Sequence, residues 1–494
     1  MGKVMVVLKE VPELSGAELS PLGSFIAGNW VHTQTEMDVI NPATAKPFAT
    51  VSTIDAGHVR TALDAAEVAL NGWRETPAVE RADILQRVAA EILLRRDAIA
   101  ETITLENGKP LAQSQGEVSM AVDHLHWFAG EARRIYGRTI PNPVRGKRHL
   151  VVKTPIGVVG AISPWNFPLV LAVRKIAPAL AAGCPVILKP ASQTPLSAIR
   201  LAECMVAASV PSGLFQVLLG DPAMISTEFL TSAICRKVSF TGSTRVGRML
   251  IEQAAKTIKP LCLELGGLAP VLVFDDCDLD VAVRETILAK FRNTGQSCIA
   301  ANRIYVQQAI YRRFVDRFSE AVSRLQTGPG MTAGMDVGPL ISEIGLQNAL
   351  QHIDDAVHRG ARVAIGGKRV PDLPGYFLQP TVLEGVSDDA NCMCEETFAP
   401  IAPICSFDTE AEAIQRANNS AYGLSAYAMT RDFGRIMRLS EQIEAGTLGI
   451  NDGAPTVSSC PFGGVKQSGW GRELGAEGLE AFLETKHVSL GHLE

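Results

Sequence analysis

Apolar residues recur at three- and four-residue spacing between Asp55 and Thr104, through DAGHVRTALDAAEVALNGW and RADILQRVAAEILLRRDAIAETITLENG, and this repeat predicts amphipathic helices. Ahead of them, residues 1 to 50 break short apolar runs with Pro and Gly, the pattern of turns and short strands. Glu117 to Glu131 predicts another helix, with Trp127 and Phe128 on its core face. From Gly157 to Ile162 the pattern changes to a short apolar strand. The run PLVLAVRKIAPALAAG then predicts a helix opened by Pro168 and closed by Gly183, the usual Pro-first, Gly-last asymmetry. Strand PVILKP, helix TPLSAIRLAECMVAA, strand FQVLLG, a short helix, strand KVSFTG, helix TRVGRMLIEQAA and strand LCLELGG continue the alternation. Unbroken Val, Ile and Leu runs between amphipathic helices indicate parallel strands buried on both faces. The pattern is that of a doubly wound α/β domain.

A second alternating series starts near Ala269, with strands APVLVFD, RIYVQ, ARVAIGG, PTVLEGV, APICSFD and SAYAMT. Its helices include DLDVAVRETILAKF, IYRRFVDRFSEAVSRL and EAEAIQRANNS. The boundary near Gly266 and Gly267 joins two α/β domains, and a cleft at such a junction is the default active site. Two further segments, RHLVVKTP (Arg148 to Pro155) and ETKHVSL (Glu484 to Leu490), have the look of short edge strands. Such edges invite pairing with another chain, although a partner within the chain would also cover them.

Composition narrows the classes. The 494 residues exceed what one hydrophobic core usually organises, so two or more domains are expected. Lys and Arg total 46 against 52 Asp and Glu, a net charge of -6, and the basic residues are scattered without stacking aromatics. That surface gives no support to nucleic-acid binding. No uncharged apolar stretch is long enough for a membrane span. The first ten residues, MGKVMVVLKE, carry charges around a short apolar patch with no cleavage site after it, so a cytoplasmic location is expected. The ten cysteines are dispersed, and reduced thiols are expected. Cys392 and Cys394 form a Cys-x-Cys pair with no second pair, so no metal site is expected.

Four places carry candidate chemistry. Cys298 lies in FRNTGQSCIAANR, after a helix that ends near Phe291, with Asn293 and Gly295 supplying backbone freedom. Backbone N–H groups at that turn would favour the thiolate and hold an oxyanion, whereas the bland alternative is a buried structural cysteine. Glu264 in LCLELGG is a carboxylate in an apolar strand; it is either paired in a structural salt bridge or functional, with a pKa raised toward neutrality. SFTGSTRVG, from Ser239 to Gly247, reads as strand, glycine turn and helix start. Gly242 lets the backbone bend closely, and Ser243 and Thr244 bring hydroxyls to the free N–H groups of the helix, a phosphate cradle. The G-x-G-x-x-G fingerprint is absent, so the pattern supports a nucleotide without its standard binding mode. In SPWNFP, Ser163 to Pro168, Asn166 either donates its amide into the cleft beside Trp165 or caps the following helix.

At these residues the sequence strongly resembles the aldehyde dehydrogenase superfamily, and within it the succinate-semialdehyde dehydrogenase group. PWNFP, LKPAS, FTGSTRVG, LELGG, FRNTGQSC, EETFAP and PFGGVKQSGWGRE occur in the family's order, and the similarity runs nearly the full length, from PLGSFIAGNW to HVSLG. The resemblance implies an α/β aldehyde dehydrogenase-like fold with a variant Rossmann cofactor domain, a second α/β catalytic domain and a small β oligomerisation element. The corresponding divisions are 1–140 and 157–265 for the cofactor-binding domain, 141–156 for the oligomerisation element and 266–455 for the catalytic domain. Residues 456–482 return to the cofactor domain, and 483–494 form the C-terminal oligomerisation strand. It also implies homodimers or homotetramers.

The family match makes Cys298 the nucleophile, Glu264 the general base, and Asn166 with the Cys298 N–H the oxyanion donors, oxidising a small aldehyde through a thioester. With Glu264 present, water rather than coenzyme A releases the acid. The cofactor is NAD or NADP, and the implied binding residues are Ser163, Pro164, Trp165, Asn166, Lys189, Ser192, Gly242, Ser243, Gly247, Leu265, Glu396 and Phe398. NAD-preferring relatives commonly carry Glu where this chain has Ser192; a neutral hydroxyl beside Lys189 does not repel a 2′-phosphate, so NADP acceptance is expected. Arg174 and Arg292 match arginines that the semialdehyde group uses for the distal carboxylate, with Ser458 as a further substrate contact. The alternatives are a surface position for Arg174 and a packing or interdomain ion-pair role for Arg292. Glutarate and 2-oxoglutarate semialdehydes, and a broader aliphatic range, are competing substrates. A non-catalytic protein of the same fold is the competing class, and the intact Cys298, Glu264 and Asn166 set argues against it.

The chain departs from the family at three places. Val457 stands where some relatives have a polar substrate contact. Ala399 replaces a usual glycine in EETFAP. Ala300 replaces a second cysteine, so no disulfide to Cys298 is expected. Trp470, within the family motif, has a structural reading, although it follows a glycine-rich segment near the interdomain region.

Overall fold

The computed structural model describes residues 22–142 and 144–491. The expectation drawn from the first ten residues, and the last three residues of the C-terminal segment, lie outside the described residues.

The first alternating series folds as expected. Strands Val158–Ile162, Val186–Lys189, Phe215–Val217, Cys235–Thr241 and Leu261–Glu264 pair in parallel. Numbered one to five in chain order, they lie side by side as 3-2-1-4-5. The order reverses between Val158–Ile162 and Cys235–Thr241, which makes that junction the topological switch point. Antiparallel strands extend the sheet to eight: Ser24–Ile26 and Asn29–Val31 at one edge, Gly469–Trp470 beside Leu261–Glu264 at the other. Trp470 also donates its indole N–H to the Leu261 carbonyl at 3.0 Å, which fits its structural reading.

Helix Val170–Ala182 is buried along its whole length and ends at Gly183, left-handed at φ 97°. A helix apolar all round belongs in a core. Two of its buried residues are Arg174 and Lys175, cations that need a partner or a task. The long helical run expected from Arg81 onward is two helices, Ala78–Leu94 and Arg96–Asn107, broken at Arg95. In helix Leu111–Ala132, Phe128 is fully buried, while Trp127 is half-buried against the same core and donates its N–H to the Gly475 carbonyl.

The second series forms a seven-stranded sheet in the order Arg362–Ile365, Thr381–Glu384, Ile401–Phe407, Ala301–Gln307, Ala269–Val273, Ser425–Met429, Thr447–Ile450. Its pairings are parallel except at the Arg362–Ile365 edge. Two helices beyond those expected, Glu343–His358 and Phe433–Gln442, pack on it through Leu346, Ile353 and Leu439. Only Leu265–Leu268 separate the last parallel strand of the first sheet from Ala269–Val273 of the second.

The two expected edge segments find each other. Lys147–Pro155 and Leu483–Gly491 pair antiparallel over their full lengths, and Arg138–Ile140 covers the other side of Lys147–Pro155. The outer edge of Leu483–Gly491 has no strand beside it among the described residues.

Candidate active site

At the switch point the chain leaves Ile162 into Ser163–Asn166 and leaves Thr241 into Gly242 and Ser243. The crevice beyond the carboxyl ends of such strands is where α/β sheets bind ligands. Here it is a cleft of about 220 Å³, closed on the far side by Cys298, Glu396 and Phe398 from the second series. Trp165 and Phe398 meet across it edge to face, ring centroids 5.5 Å apart. Phe398 holds a left-handed φ of 45°, a costly backbone for an aromatic residue and one that clusters at ligand sites.

Ser243 caps helix Thr244–Ala254 by accepting from the Val246 N–H at 3.4 Å. Gly242 has a steric reason different from the expected backbone bend: a Cβ there would lie 2.4 Å from the Phe240 ring. A Cβ on Gly247 would lie 2.7 Å from the Leu265 side chain, so this glycine lets helix and strand approach, and it does not line the cleft. Lys189 is buried at the end of its strand, donating to the Pro190 carbonyl at 2.6 Å and the Ser192 hydroxyl at 3.4 Å. Burial pulls its amine down to about 8, against the charge of Asp221. The Ser163 hydroxyl is buried without a hydrogen-bond partner.

The segment carrying Cys298 is unusual in its backbone. Helix Leu279–Phe291 ends, and Asn293, Thr294 and Gly295 follow with φ of 50°, 59° and 74°. A β-branched threonine resists that conformation. Two bonds hold it: Thr294 Oγ1 accepts from the Gly338 N–H at 3.0 Å, buried, and Gln113 Oε1 accepts from the Asn293 N–H at 2.8 Å, part-buried. Gly295 could carry no side chain, because a Cβ would fall 2.3 Å from the Ala399 carbonyl. The Cys298 N–H donates to no acceptor among the described residues, whereas Ala300 N–H bonds back to Ser297 at 3.0 Å.

No donor among the described residues reaches the Cys298 sulfur, so the expected stabilisation of a thiolate by local N–H groups is not what this state provides. The side chain keeps surface toward the cleft, yet the sulfur is otherwise enclosed. Burial, with Glu396, Glu264 and Glu473 adding negative charge, pushes the thiol up to about 12, and Arg174 opposes them.

Glu264 ends its strand with 2% exposure, and neither carboxylate oxygen has a hydrogen-bond partner. The salt-bridge alternative therefore fails among the described residues. Burial first, then the charge of Glu473, holds its carboxyl well above the usual range, while Lys175, Arg174 and Arg472 pull the other way. Behind it Lys175 pairs with Glu473 at 2.5 Å and donates to Thr241 Oγ1 at 2.6 Å, all buried. Sequence reasoning gave Lys175 and Glu473 no role, although Lys175 follows Arg174, which it had singled out, and Glu473 is the last residue of the motif PFGGVKQSGWGRE.

Asn166 does not cap the helix that follows. Glu117 does, its Oε1 accepting from the N–H groups of Leu169 and Val170 at 2.9 and 3.2 Å. Asn166 instead donates one amide hydrogen to the Gln296 carbonyl at 3.1 Å, and its Oδ1 is unpartnered. Glu396 accepts from the Gly267 N–H at 3.2 Å, and burial raises its carboxyl to about 8.

Arg174 is not a surface residue of its helix: it is 6% exposed, stacked at 4.8 Å on Phe462. It makes no hydrogen bond or ion pair among the described residues, and its Nε is an orphan. The charges that act on it include Cys298, Glu264 and Arg292. Arg292 has no ion-pair partner among the described residues, so the interdomain-pair alternative fails for it, while its place 5.6 Å from the Phe167 ring centroid fits the packing alternative. Ser458 is buried in the loop before Phe462, and its carbonyl accepts from the Gly475 N–H at 2.9 Å. No hydrogen bond ties its hydroxyl to the cleft residues. Buried His124, also unassigned from sequence, has an unpartnered Nδ1, and burial plus Arg174 hold its pKa well below the ordinary value.

All ten cysteines are free thiols. Among the described residues no three His, Cys, Asp or Glu side chains gather as a metal site would require, and no helix is long and apolar enough to cross a membrane.

The profile of the aldehyde dehydrogenase family matches residues 30–488. The chain is 46% identical to the Escherichia coli (strain K12) succinate-semialdehyde dehydrogenase [NADP(+)] GabD, over 97% of this chain and 100% of that protein. It is also 46% identical to the 3-sulfolactaldehyde dehydrogenase of Pseudomonas putida, over 98% of this chain and 99% of that protein. A crystal structure of an E. coli NADP-dependent enzyme superposes with a TM-score of 0.95 at 46% identity, covering 96% of this chain and 99% of that one.

Proposed function

This chain belongs to the aldehyde dehydrogenase family, and on that premise we propose that its NAD(P)-dependent aldehyde oxidation acts on an aldehyde with a distal carboxylate, succinate semialdehyde foremost. The observation that carries the substrate assignment is Arg174: a guanidinium buried near the nucleophile with no hydrogen-bond or ion-pair partner among the described residues. An unpaired buried charge is costly, and a carboxylate at the far end of the substrate would satisfy it. Arg292 adds a second cation toward the same anion.

A dinucleotide fits the residues present. The switch-point crevice, the first N–H groups of helix Thr244–Ala254, the orphan Ser163 hydroxyl and the slot between Trp165 and Phe398 suit its phosphates, ribose and ring. Lys189 and Ser192 would take the adenosine ribose, and a lysine beside a neutral hydroxyl favours accepting NADP⁺. Glu396 would hold the other ribose. When bound, the cofactor accepts the hydride that the aldehyde carbon gives up.

Glu264 takes the proton of the Cys298 thiol, and the sulfur attacks the aldehyde carbonyl. The oxyanion receives the second amide hydrogen of Asn166 and the free Cys298 N–H. Oxidation leaves an acyl thioester on Cys298. Glu264 then removes a proton from water as it attacks the acyl carbon, and Cys298 departs as the acid forms. Glu264 lines the cleft, and the first proton leaves it through the cleft before Glu264 acts on water. The division at Gly266 and Gly267 into cofactor and catalytic parts belongs to this reading, as does a homo-oligomer formed through the outer edge of Leu483–Gly491. A cleft lined by residues of both series, and a strand edge left open among the described residues, support them.

Initial velocities across succinate, glutarate and 2-oxoglutarate semialdehydes, 3-sulfolactaldehyde and simple alkyl aldehydes, each with NAD⁺ and NADP⁺ and without coenzyme A, test the assignment. Preference for an anionic tail supports it, and equal efficiency with alkyl aldehydes removes it. Cys298→Ala is expected to abolish cofactor reduction while nucleotide binding and the melting transition persist.

A further inference from the structure

The Asn166 amide can meet an oxyanion only if the backbone of Asn166 is held still, and the structure shows what holds it. The Asn166 carbonyl accepts from Lys109 Nζ at 2.7 Å, from Asn293 Nδ2 at 2.8 Å and from Asn107 Nδ2 at 3.5 Å. Lys109 does not line the cleft. It is fully buried behind it, pairs with Glu117 Oε2 at 2.6 Å, and sits 3.9 Å over the Phe167 ring. The other oxygen of Glu117 accepts from the Leu169 and Val170 N–H groups. One ion pair thus grips the segment Asn166–Val170 at both ends: the ammonium holds its first carbonyl and ring, and the carboxylate holds its last N–H groups.

A pair with neither side chain accessible gains little stability, because desolvation offsets the attraction and apolar groups of similar volume often serve as well. What such a pair can give is a defined geometry. We propose that Lys109, anchored by Glu117, is a positioning residue for the oxyanion site, setting the place of Asn166 against Cys298 without touching substrate. This rests on the reading of Asn166 as an oxyanion donor.

A double-mutant cycle tests it. Lys109→Met alone would strand the Glu117 carboxylate, so the pair is neutralised together as Lys109→Met with Glu117→Gln, which leaves an acceptor for Leu169 and Val170. In the wild-type background kcat is expected to fall about tenfold or more, the scale of a displaced catalytic group. In an Asn166→Ala background the same two changes should lower kcat less than about twofold, since there is no amide left to misplace. Equal losses in both backgrounds overturn the proposal and leave the pair a structural one. If Asn166→Ala by itself leaves kcat unchanged, the reading of Asn166 fails, and the proposal with it. Lys109→Arg covers poor folding of the neutral pair: it keeps the charge against Glu117 but moves the donor off the Asn166 carbonyl. It should lose kcat while melting like wild type, and wild-type kcat in Lys109→Arg overturns the proposal.

Discussion

The backbone of Gly463 lies against the Glu264 carboxylate: a Cβ at 463 would come 2.8 Å from Glu264 Oε1, 2.8 Å from the Gly471 carbonyl and 2.9 Å from Arg472 Cδ. The Gly471 carbonyl is backbone and cannot swing aside, so relief needs a backbone shift at 463 together with movement of the carboxylate. Gly463→Ala should therefore displace the base, lowering kcat about tenfold, with an overpacking cost of about 1–3 kcal/mol. Steady-state rates read beside thermal melting check it; a fall in melting temperature with unchanged kcat would show that Glu264 tolerates the shift.

The raised Glu264 carboxyl gives a pH dependence with a definite sign. Between the ordinary value of 4.5 and its raised folded value, the folded protein keeps a proton that the unfolded chain has lost. The stabilisation is complete below 4.5 and is lost as pH rises through the folded value. As a base, the same group becomes active over the same rise. Glu264→Gln is expected to flatten the stability profile and to remove the ascending limb of kcat, both measured by scanning pH upward from the ordinary carboxylate range. An unchanged rate limb would assign it to the thiol instead.

Arg174→Leu should separate binding from stability. Removing an unpaired buried guanidinium strands no partner, so the unliganded protein should melt no lower than wild type, and higher if the stacking on Phe462 is worth less than the charge costs. KM for a carboxylated semialdehyde should rise about 30-fold or more, the scale of about 2 kcal/mol or more for a lost buried charge pair, while KM for an alkyl aldehyde stays near wild type. A large loss of melting temperature would instead make Arg174 a structural residue.

Ser192→Glu brings a carboxylate beside Lys189, whose Nζ already reaches the Ser192 hydroxyl at 3.4 Å. A 2′-phosphate would then meet like charge, and kcat/KM with NADP⁺ should fall at least about tenfold while that with NAD⁺ holds or improves. Comparing the two cofactors at fixed aldehyde concentration checks it.

How much of this was legible in the sequence depends on the range over which each signal acts. Strands such as Val186–Lys189 are apolar at every position because both faces are covered, so a local reading finds them. Glu264 is conspicuous because a charge interrupts such a run. Cys298 is one of ten cysteines, and only the motif around it set it apart. Thr294 carried no warning, since a threonine in the left-handed region contradicts its own preference and is held by bonds to residues far along the chain. The Lys175–Glu473 pair spans 298 positions, and the helix cap on Leu169 comes from 52 positions away. Periodicity has no access to such partners. The two edge strands show the same limit: each announces that it needs a neighbour, and neither says which.

Glu264 closes a strand of one sheet, and Cys298 hangs before a strand of the other, with the Gly267 backbone pressed on the Cys298 carbonyl between them. On the proposed mechanism the working distance of the reaction is therefore a property of a joint, not of either half. Warming loosens joints before it melts cores, so turnover should decline at temperatures where both sheets are still intact. Improving either core would leave that ceiling where it is; tightening the seam would raise it.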